Sequence, residues 1–151
     1  PEKAELARKH GCDFPLLYQE EDWVSKVKEI TDGEGVPVVY DSVGGETFMK
    51  SLDCLRPLGL LASFGQASGP VAPFDPALLA AKGSLFLTRP TLMTYTADRS
   101  DLLASATDLF AVVQSGDVRI EVNQTYPLSE AAQAHRDLEA RKTTGSTVLL
   151  A

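Results

Sequence analysis

Apolar residues follow one another along the chain in two patterns, and these patterns alternate. Continuous aliphatic and β-branched runs are typical of strands buried on both faces of a sheet, and helical spacing of apolar residues predicts amphipathic helices. In the longest helix, this spacing predicts a buried stripe of Leu102, Leu103, Ala106, Leu109, Phe110 and Val113. The predicted strands are 16–18, 36–41, 60–65, 84–88, 119–122, 124–126 and 147–150, and the predicted helices are 1–10, 22–31, 47–55, 76–82, 98–115 and 127–140.

The alternation of strands and helices predicts an α/β fold, a Rossmann-like parallel sheet with helices on both faces. The Gly-x-Gly-x-x-Gly turn that opens a dinucleotide-binding domain does not occur in the sequence. The chain also starts inside a predicted helix, without a capping residue before Pro1. We therefore expect this chain to be part of a longer protein, so that its fold is incomplete.

Composition and charge exclude several classes of function. The 151 residues are 44% apolar and carry a formal net charge of −7, which argues against nucleic acid and anionic membranes as partners. No apolar run is long enough to span a membrane. The two cysteines, Cys12 and Cys54, stand apart as expected of small buried side chains in a reducing cytoplasm, and they predict no metal site.

The sequence offers no catalytic group. His10 and His135 lie far apart on two predicted helices, and the Gly-x-Ser-x-Gly elbow of hydrolases is missing. Acidic pairs such as Glu20-Glu21 are more typical of solvated helix ends than of general acid–base catalysis. We assign neither a catalytic residue nor a metal ligand.

Candidate binding residues lie where predicted strands end. Tyr18, Asp41-Ser42-Val43-Gly44 and Phe64-Gly65 would meet at one edge, because the carboxyl ends of parallel strands lie on the same side of a sheet. Glycines there let the backbone approach a ligand closely. Lys3 adds a cation in the first helix. Taken singly, Lys3 could equally be a solvated lysine, and Tyr18 a partly buried side chain whose hydroxyl faces water.

Together these residues resemble a known family. The resemblance rests on stretches in matching order and spacing along almost the whole chain. It is to the zinc-independent quinone oxidoreductases of the medium-chain dehydrogenase/reductase superfamily, the zeta-crystallin-like group. The stretches are Lys3-Ala4, Leu17-Tyr18, Glu21-Asp22, Val39–Gly44, Ser51–Leu55, Ser63-Phe64-Gly65, Lys82–Leu85, Thr88-Arg89-Pro90, Tyr126-Pro127-Leu128, Ala134-His135 and Gly145-Ser146.

The resemblance implies NADPH as hydride donor and a quinone as acceptor, and it assigns cofactor contacts to eleven residues. Lys3 would hold the ribose 2′-phosphate, Tyr18 the adenosine end and Val43 the adenine. Arg141, with Lys142 as a possible substitute, would reach the phosphate end. The nicotinamide side would be lined by Phe64, Gly65, Gln66 and Ala67, and its carboxamide would be flanked by Pro90, Thr91 and Leu92.

The resemblance also implies how the domains are arranged along the chain. The first strand of the Rossmann-like sheet, its glycine-rich turn and the substrate-binding half would precede residue 1. Residues 1–90 would be the later part of the NADPH-binding domain, and residues 91–151 would return to the catalytic domain. Strand 84–88, from Ser84 to Thr88, would pair with its twin in a cytoplasmic homodimer. Three alternatives stay open: a reductase of enones, alkenals or acyl-thioesters, a non-catalytic nucleotide-binding or structural module, and a Rossmann-like domain of another family.

Overall fold

A computed structural model describes residues 2–151. These divide into two compact units, with the boundary in sequence between Ala97 and Asp98. The first unit contains α1 (Glu2–Lys9), α2 (Trp23–Ile30), β1 (Val36–Asp41), α3 (Phe48–Asp53), β2 (Leu55–Ser63), α4 (Ala77–Ala81), β3 (Phe86–Thr88) and α5 (Leu92–Tyr95). The second contains α6 (Arg99–Gln114), β4 (Val122–Pro127), a 3₁₀ turn (Leu128–Glu130), α7 (Ala131–Glu139) and β5 (Ser146–Leu150).

A three-stranded parallel sheet organises the first unit. Its strand order is β1-β2-β3, with Val39 opposite Leu61 and Leu61 opposite Leu87. Parallel neighbours need helical crossovers, which α3 and α4 supply. The core lies between α3 and the sheet, and consists of Phe48, Leu52, Leu55, Leu61 and Leu85.

The second unit contains a parallel pair, β4 and β5, connected through α7. Gln124 fastens β4 to the residues that precede β5. Its amide nitrogen donates to the Thr144 carbonyl at 2.6 Å, and its amide oxygen accepts from the Thr144 N–H at 3.0 Å. The predicted α/β class, with parallel strands flanked by helices, is confirmed.

Several local predictions are wrong at particular residues. The predicted strand at residues 16–18 is not a strand, because the Leu17 carbonyl accepts from the N–H groups of Glu20 and Glu21 and the chain turns there. The strand predicted at 119–122 is wrong except for Val122, which joins the strand predicted at 124–126 in the single strand β4. The helix α5 was not expected.

The apolar stripe predicted on α6 is not buried within the part of the chain that the structure describes. Leu103 and Phe110 are 52% and 61% exposed. Helical spacing shows which face is apolar, but only a packed neighbour can bury that face. Cys12 is likewise exposed, whereas Cys54 is buried as expected.

The segment 57–59 also departs from its predicted turn and lies inside β2. Leu58 accommodates the bend with a left-handed φ of 60° while its N–H donates to the Gly83 carbonyl at 2.9 Å. β2 therefore begins five residues before its predicted start at Leu60, and α3 ends before Leu55.

Candidate functional site

The carboxyl ends of the three strands lie at one edge of the first unit's sheet. Asp41, the last residue of β1, pairs with Ser63, the last of β2. Thr88, the last of β3, pairs with Ala62 one residue earlier. Three loops thus leave the sheet side by side, which is where ligands bind in open parallel sheets.

The first of these loops is held by the buried carboxylate of Asp41. One carboxylate oxygen accepts from the N–H groups of Val43 at 2.8 Å and Gly44 at 3.0 Å. The hydroxyl of Thr47 donates to both oxygens, and that of Ser51 donates to the second oxygen at 2.7 Å. The Asp41 side chain thereby connects the end of β1 to the start of α3.

Burial by itself would raise the pKa of the Asp41 carboxyl. The hydrogen bonds from Gly44, Ser51, Thr47 and Val43 outweigh burial and hold that pKa below its ordinary value. A carboxylate with this environment stays ionised at neutral pH. It has its acceptor sites occupied by protein donors, which suits a structural anion and not a general base.

Two loops form a single platform at this edge. We call residues 42–46 the first loop and residues 64–69 the second loop. The N–H groups of Ala67 and Ser68 donate to the carbonyls of Ser42 and Val43 at 3.1 and 2.8 Å. The return bond runs from Gly45 N–H to the Gly69 carbonyl at 3.1 Å.

The hydroxyl of Ser68 closes the platform at its centre. It donates to the Val43 carbonyl at 2.8 Å and accepts from the Glu46 N–H at 3.0 Å. Two surface loops that would otherwise fluctuate independently are therefore joined by backbone and side-chain bonds.

Glycine is required at two platform positions. Gly44 has a φ of +84°, and a Cβ there would lie 2.9 Å from the Cα of Gln66. At Gly65 a Cβ would lie 2.7 Å from the Cα of Ser42. Both contacts involve backbone that cannot move aside, so these glycines let the two loops touch.

A cavity of about 500 Å³ opens beside the second loop. Its walls are mainly apolar, with Phe48 and Phe74 in tilted ring contact at a centroid separation of 5.2 Å. Arg89 is the cation in the lining, and its guanidinium donates to the Ser63 carbonyl at 2.8 Å. Arg89 thus connects the end of β3 to the end of β2, just before Phe64.

Five of the predicted cofactor residues lie on the platform. Val43 is half-buried in the first loop, and Phe64, Gly65, Gln66 and Ala67 form the start of the second loop. The side chain of Phe64 is 51% exposed, so an aromatic face is available at the sheet edge. Three further predicted residues, Pro90, Thr91 and Leu92, directly follow β3 at the same edge.

The remaining three predicted residues lie on other elements. Lys3 is exposed in the first turn of α1, and Tyr18 is half-buried in the turn where a strand end was expected. Arg141 follows α7 in the second unit, exposed and with a left-handed φ of 58°. Their contacts with a cofactor stay predictions.

Sequence reasoning missed the residues that hold the platform. No role at the site was assigned to Thr47, Ser51, Ser68 or Arg89, although Ser51 and Arg89 lie in stretches that carry the family resemblance. A detectable signal existed for Thr47 and Ser51, since these hydroxyl residues stand four positions apart, at the N-cap and inside α3, next to the apolar Phe48 and Leu52. Buried hydroxyls need an acceptor, and Asp41 supplies it.

Residues 2–151 contain no cluster of metal ligands, and one of their two thiols is buried. No group of three or more potential metal ligands comes together among them. The Cys54 thiol is buried, and burial raises its pKa to about 11, which disfavours the reactive thiolate. None of the helices described here is long and apolar enough to cross a membrane.

By sequence, the chain is similar to known dehydrogenases and reductases over almost its whole length. A family model described as zinc-binding dehydrogenase matches residues 10–149. The chain is 54% identical to a quinone oxidoreductase of Pseudomonas aeruginosa over 99% of its length and 46% of that protein. It is 48% identical to a 2-haloacrylate reductase of Burkholderia, over 99% of this chain and 45% of that protein.

Solved structures agree with this similarity. A quinone oxidoreductase of Escherichia coli complexed with NADPH superimposes with a TM-score of 0.95 at 45% identity, over 99% of this chain and 47% of that one. The chain spans about half the length of the curated relatives it matches.

Proposed function

The chain belongs to the zinc-binding dehydrogenase family, and on that premise we propose that it supplies the cofactor edge of an NADPH-dependent quinone oxidoreductase. The observation that carries the proposal is the platform of two loops joined through Ser42, Val43 and Ser68 at the carboxyl ends of β1 and β2. The structural neighbour complexed with NADPH shares this fold.

The platform fits a flat, phosphorylated ligand. Gly45 is exposed at the sheet edge, where a glycine lets a ligand approach the backbone closely, and Phe64 presents an exposed aromatic face. We assign the adenine side to Val43 and the nicotinamide side to the residues that start the second loop. Pro90, Thr91 and Leu92 would flank the carboxamide, and Tyr18 the adenosine.

In the mechanism, the bound dinucleotide supplies the hydride, and the residues of this chain position it. The joined loops hold Val43 and Phe64 at fixed spacing, so that ring orientation costs little reorganisation during the reaction. Arg89 fixes the Ser63 carbonyl and thereby the start of the second loop. No proton transfer is assigned to a residue of this chain.

Phosphate selectivity tests the proposal most directly. Lys3 would pair with the ribose 2′-phosphate, and Arg141 with the phosphate end, since a lysine or arginine beside a phosphate forms charge-assisted bonds. We predict that Lys3→Ala weakens NADPH binding by about 1.5–3 kcal/mol and leaves NADH binding unchanged. Titration calorimetry with both cofactors measures this in the protein that carries this chain.

Lys9→Ala is the matched control, because Lys9 is an exposed lysine in the last turn of the same helix. Its loss should change neither affinity. Equal affinity of the unmutated protein for NADPH and NADH would remove the phosphate argument.

A second acceptor class is favoured by one specific relative. The 2-haloacrylate reductase shares 48% identity, so an activated alkene is the alternative to a quinone. A panel of quinones, enones, alkenals, 2-haloacrylates and acyl-thioesters at fixed NADPH distinguishes them. Binding of NADPH without turnover of any acceptor would favour a non-catalytic nucleotide-binding module.

The same proposal extends to the domain boundaries and the oligomeric state of the protein. We assign residues 1–90 to the later part of the cofactor domain and residues 91–151 to elements that return to the catalytic domain. The protein would be zinc-independent, cytoplasmic, and a homodimer through the segment Ser84–Thr88. Support for the dimer comes from β3, which is an edge strand with exposed Phe86 and Leu87 side chains.

A further inference from the structure

We propose that Asp41 is the positioning residue of the cofactor platform, setting cofactor affinity through the two loops without touching the cofactor. The inference rests on the proposed function, which it deepens. It is carried by the side-chain contacts that converge on this carboxylate from three successive parts of the chain.

The first step is the shape of the first loop. The N–H groups of Val43 and Gly44 both point at one Asp41 oxygen, at 2.8 and 3.0 Å, which closes the turn directly after β1. Carbonyl groups of the same turn then face outward. Those of Ser42 and Val43 are the acceptors that receive Ala67 and Ser68 of the second loop.

The second step is the anchor beneath the loop. Thr47, directly before α3, and Ser51, within α3, donate their hydroxyls to the Asp41 carboxylate, and all three side chains are buried. The helix is packed into the core by Phe48 and Leu52. Through the Asp41 carboxylate, the packed helix α3 therefore holds the first loop in place.

The third step is the dependence of the second loop. Asp41 also contributes its backbone carbonyl, which accepts from the Phe64 N–H at 2.9 Å. Both loops are thus held by Asp41. Its side chain holds the first loop, and its backbone carbonyl and the first loop hold the second. A carboxylate with four donors is stronger in this role than a neutral side chain.

The test uses four variants of the protein that carries this chain. Asp41→Asn removes the charge, and Thr47→Val removes one donor at nearly constant shape. Thr47→Ser keeps the hydroxyl and is the conservative rescue. Asp53→Asn is the matched control, because this carboxylate pairs with Lys82 at the opposite end of α3, away from the platform.

We expect Asp41→Asn and Thr47→Val to raise the Kd and KM for NADPH by about tenfold or more, the factor expected for about 1.4 kcal/mol. The KM for the acceptor should stay unchanged, and Thr47→Ser and Asp53→Asn should bind NADPH like the unmutated protein. An unchanged Kd in a folded Asp41→Asn protein overturns the inference, as does an equal loss in Asp53→Asn. If Asp41→Asn does not fold, the Thr47 pair decides in the same way.

Hydrogen exchange separates this inference from the proposed function. The amides of Ala67 and Ser68 should exchange faster in Asp41→Asn and Thr47→Val without any cofactor present. If the unmutated protein does not bind NADPH, the proposed function fails, and the exchange rates still decide whether Asp41 holds the platform. Unchanged exchange at both amides would contradict its positioning role.

Discussion

At the scale of single residues, the acid stability of the protein should depend on Asp41. A carboxyl whose pKa is lower in the folded than in the unfolded chain stabilises the fold above its unfolded pKa. That contribution is lost as the pH falls through the folded pKa. Since the pKa of Asp41 lies below its ordinary value, its contribution is fully present at neutral pH and disappears in acid.

We predict that Asp41→Asn lowers the free energy of unfolding by about 1.5–3 kcal/mol at pH 7, the typical value of hydrogen bonds to a charged group. The difference from the unmutated protein should shrink as the pH is lowered below 4. Urea unfolding followed by circular dichroism at several pH values measures it. A difference that stays constant with pH would show that the charge is not responsible.

The glycine pair Gly44 and Gly69 separates two effects of a side chain. Both have a positive φ, at +84° and +107°, but a Cβ at Gly44 would meet backbone atoms, whereas nothing lies within 4 Å at Gly69. Both alanine variants should carry a conformational cost of about 1–2 kcal/mol, because an L-residue is disfavoured at positive φ. Gly44→Ala should cost at least about 1 kcal/mol more, because the loops must separate. Thermal unfolding compares them, and equal shifts would contradict the contact between the loops.

At the scale of elements, local patterns predicted the strands and helices that carry their own signals. β1 matches its predicted bounds at both ends, because a β-branched run is followed directly by polar and glycine residues. The strand predicted at 16–18 does not form although the segment is apolar, since a strand exists only if a neighbouring strand completes its hydrogen bonds. The length of α6 was predicted, but the burial of its apolar stripe was not.

The edge strand β3 provides a test of assembly. Phe86 is 60% exposed on this strand, so a lysine there should place charge in the proposed dimer contact. If the proposed dimer forms through β3, Phe86→Lys should convert it into a monomer in sedimentation velocity experiments. Phe14→Lys, at a phenylalanine that is 61% exposed in a loop, is the control and should stay dimeric. A Phe86→Lys protein that sediments as the unmutated one would exclude this edge.

At the scale of the whole molecule, the chain spans 46% of the Pseudomonas relative, and it has no glycine-rich dinucleotide turn. We predict that residues 1–151 produced alone bind NADPH weakly and show no quinone-dependent NADPH oxidation. Fluorescence titration and a spectrophotometric assay of the oxidation of reduced nicotinamide test this. Turnover by these 151 residues alone would show that the remaining half of the relatives is dispensable for the chemistry.

The sequence by itself determined the α/β class, most element positions and the family. The comparisons with known proteins confirm the family. It could do so because helical spacing, aliphatic runs and strand-end motifs are local, and local patterns are readable without contacts. It also located Val43 and Phe64–Ala67 at strand ends, on what the structure shows to be one platform.

Only the tertiary structure decided how that platform is held. Asp41, Thr47 and Ser51 lie up to ten positions apart, and Ser68 reaches Val43 from 25 positions away. Such hydrogen bonds depend on which loops the sheet brings side by side, and no spacing rule encodes that. The sequence therefore predicts that a strand ends at Asp41–Gly45. Only the packed structure shows that this stretch holds the two loops of the platform together.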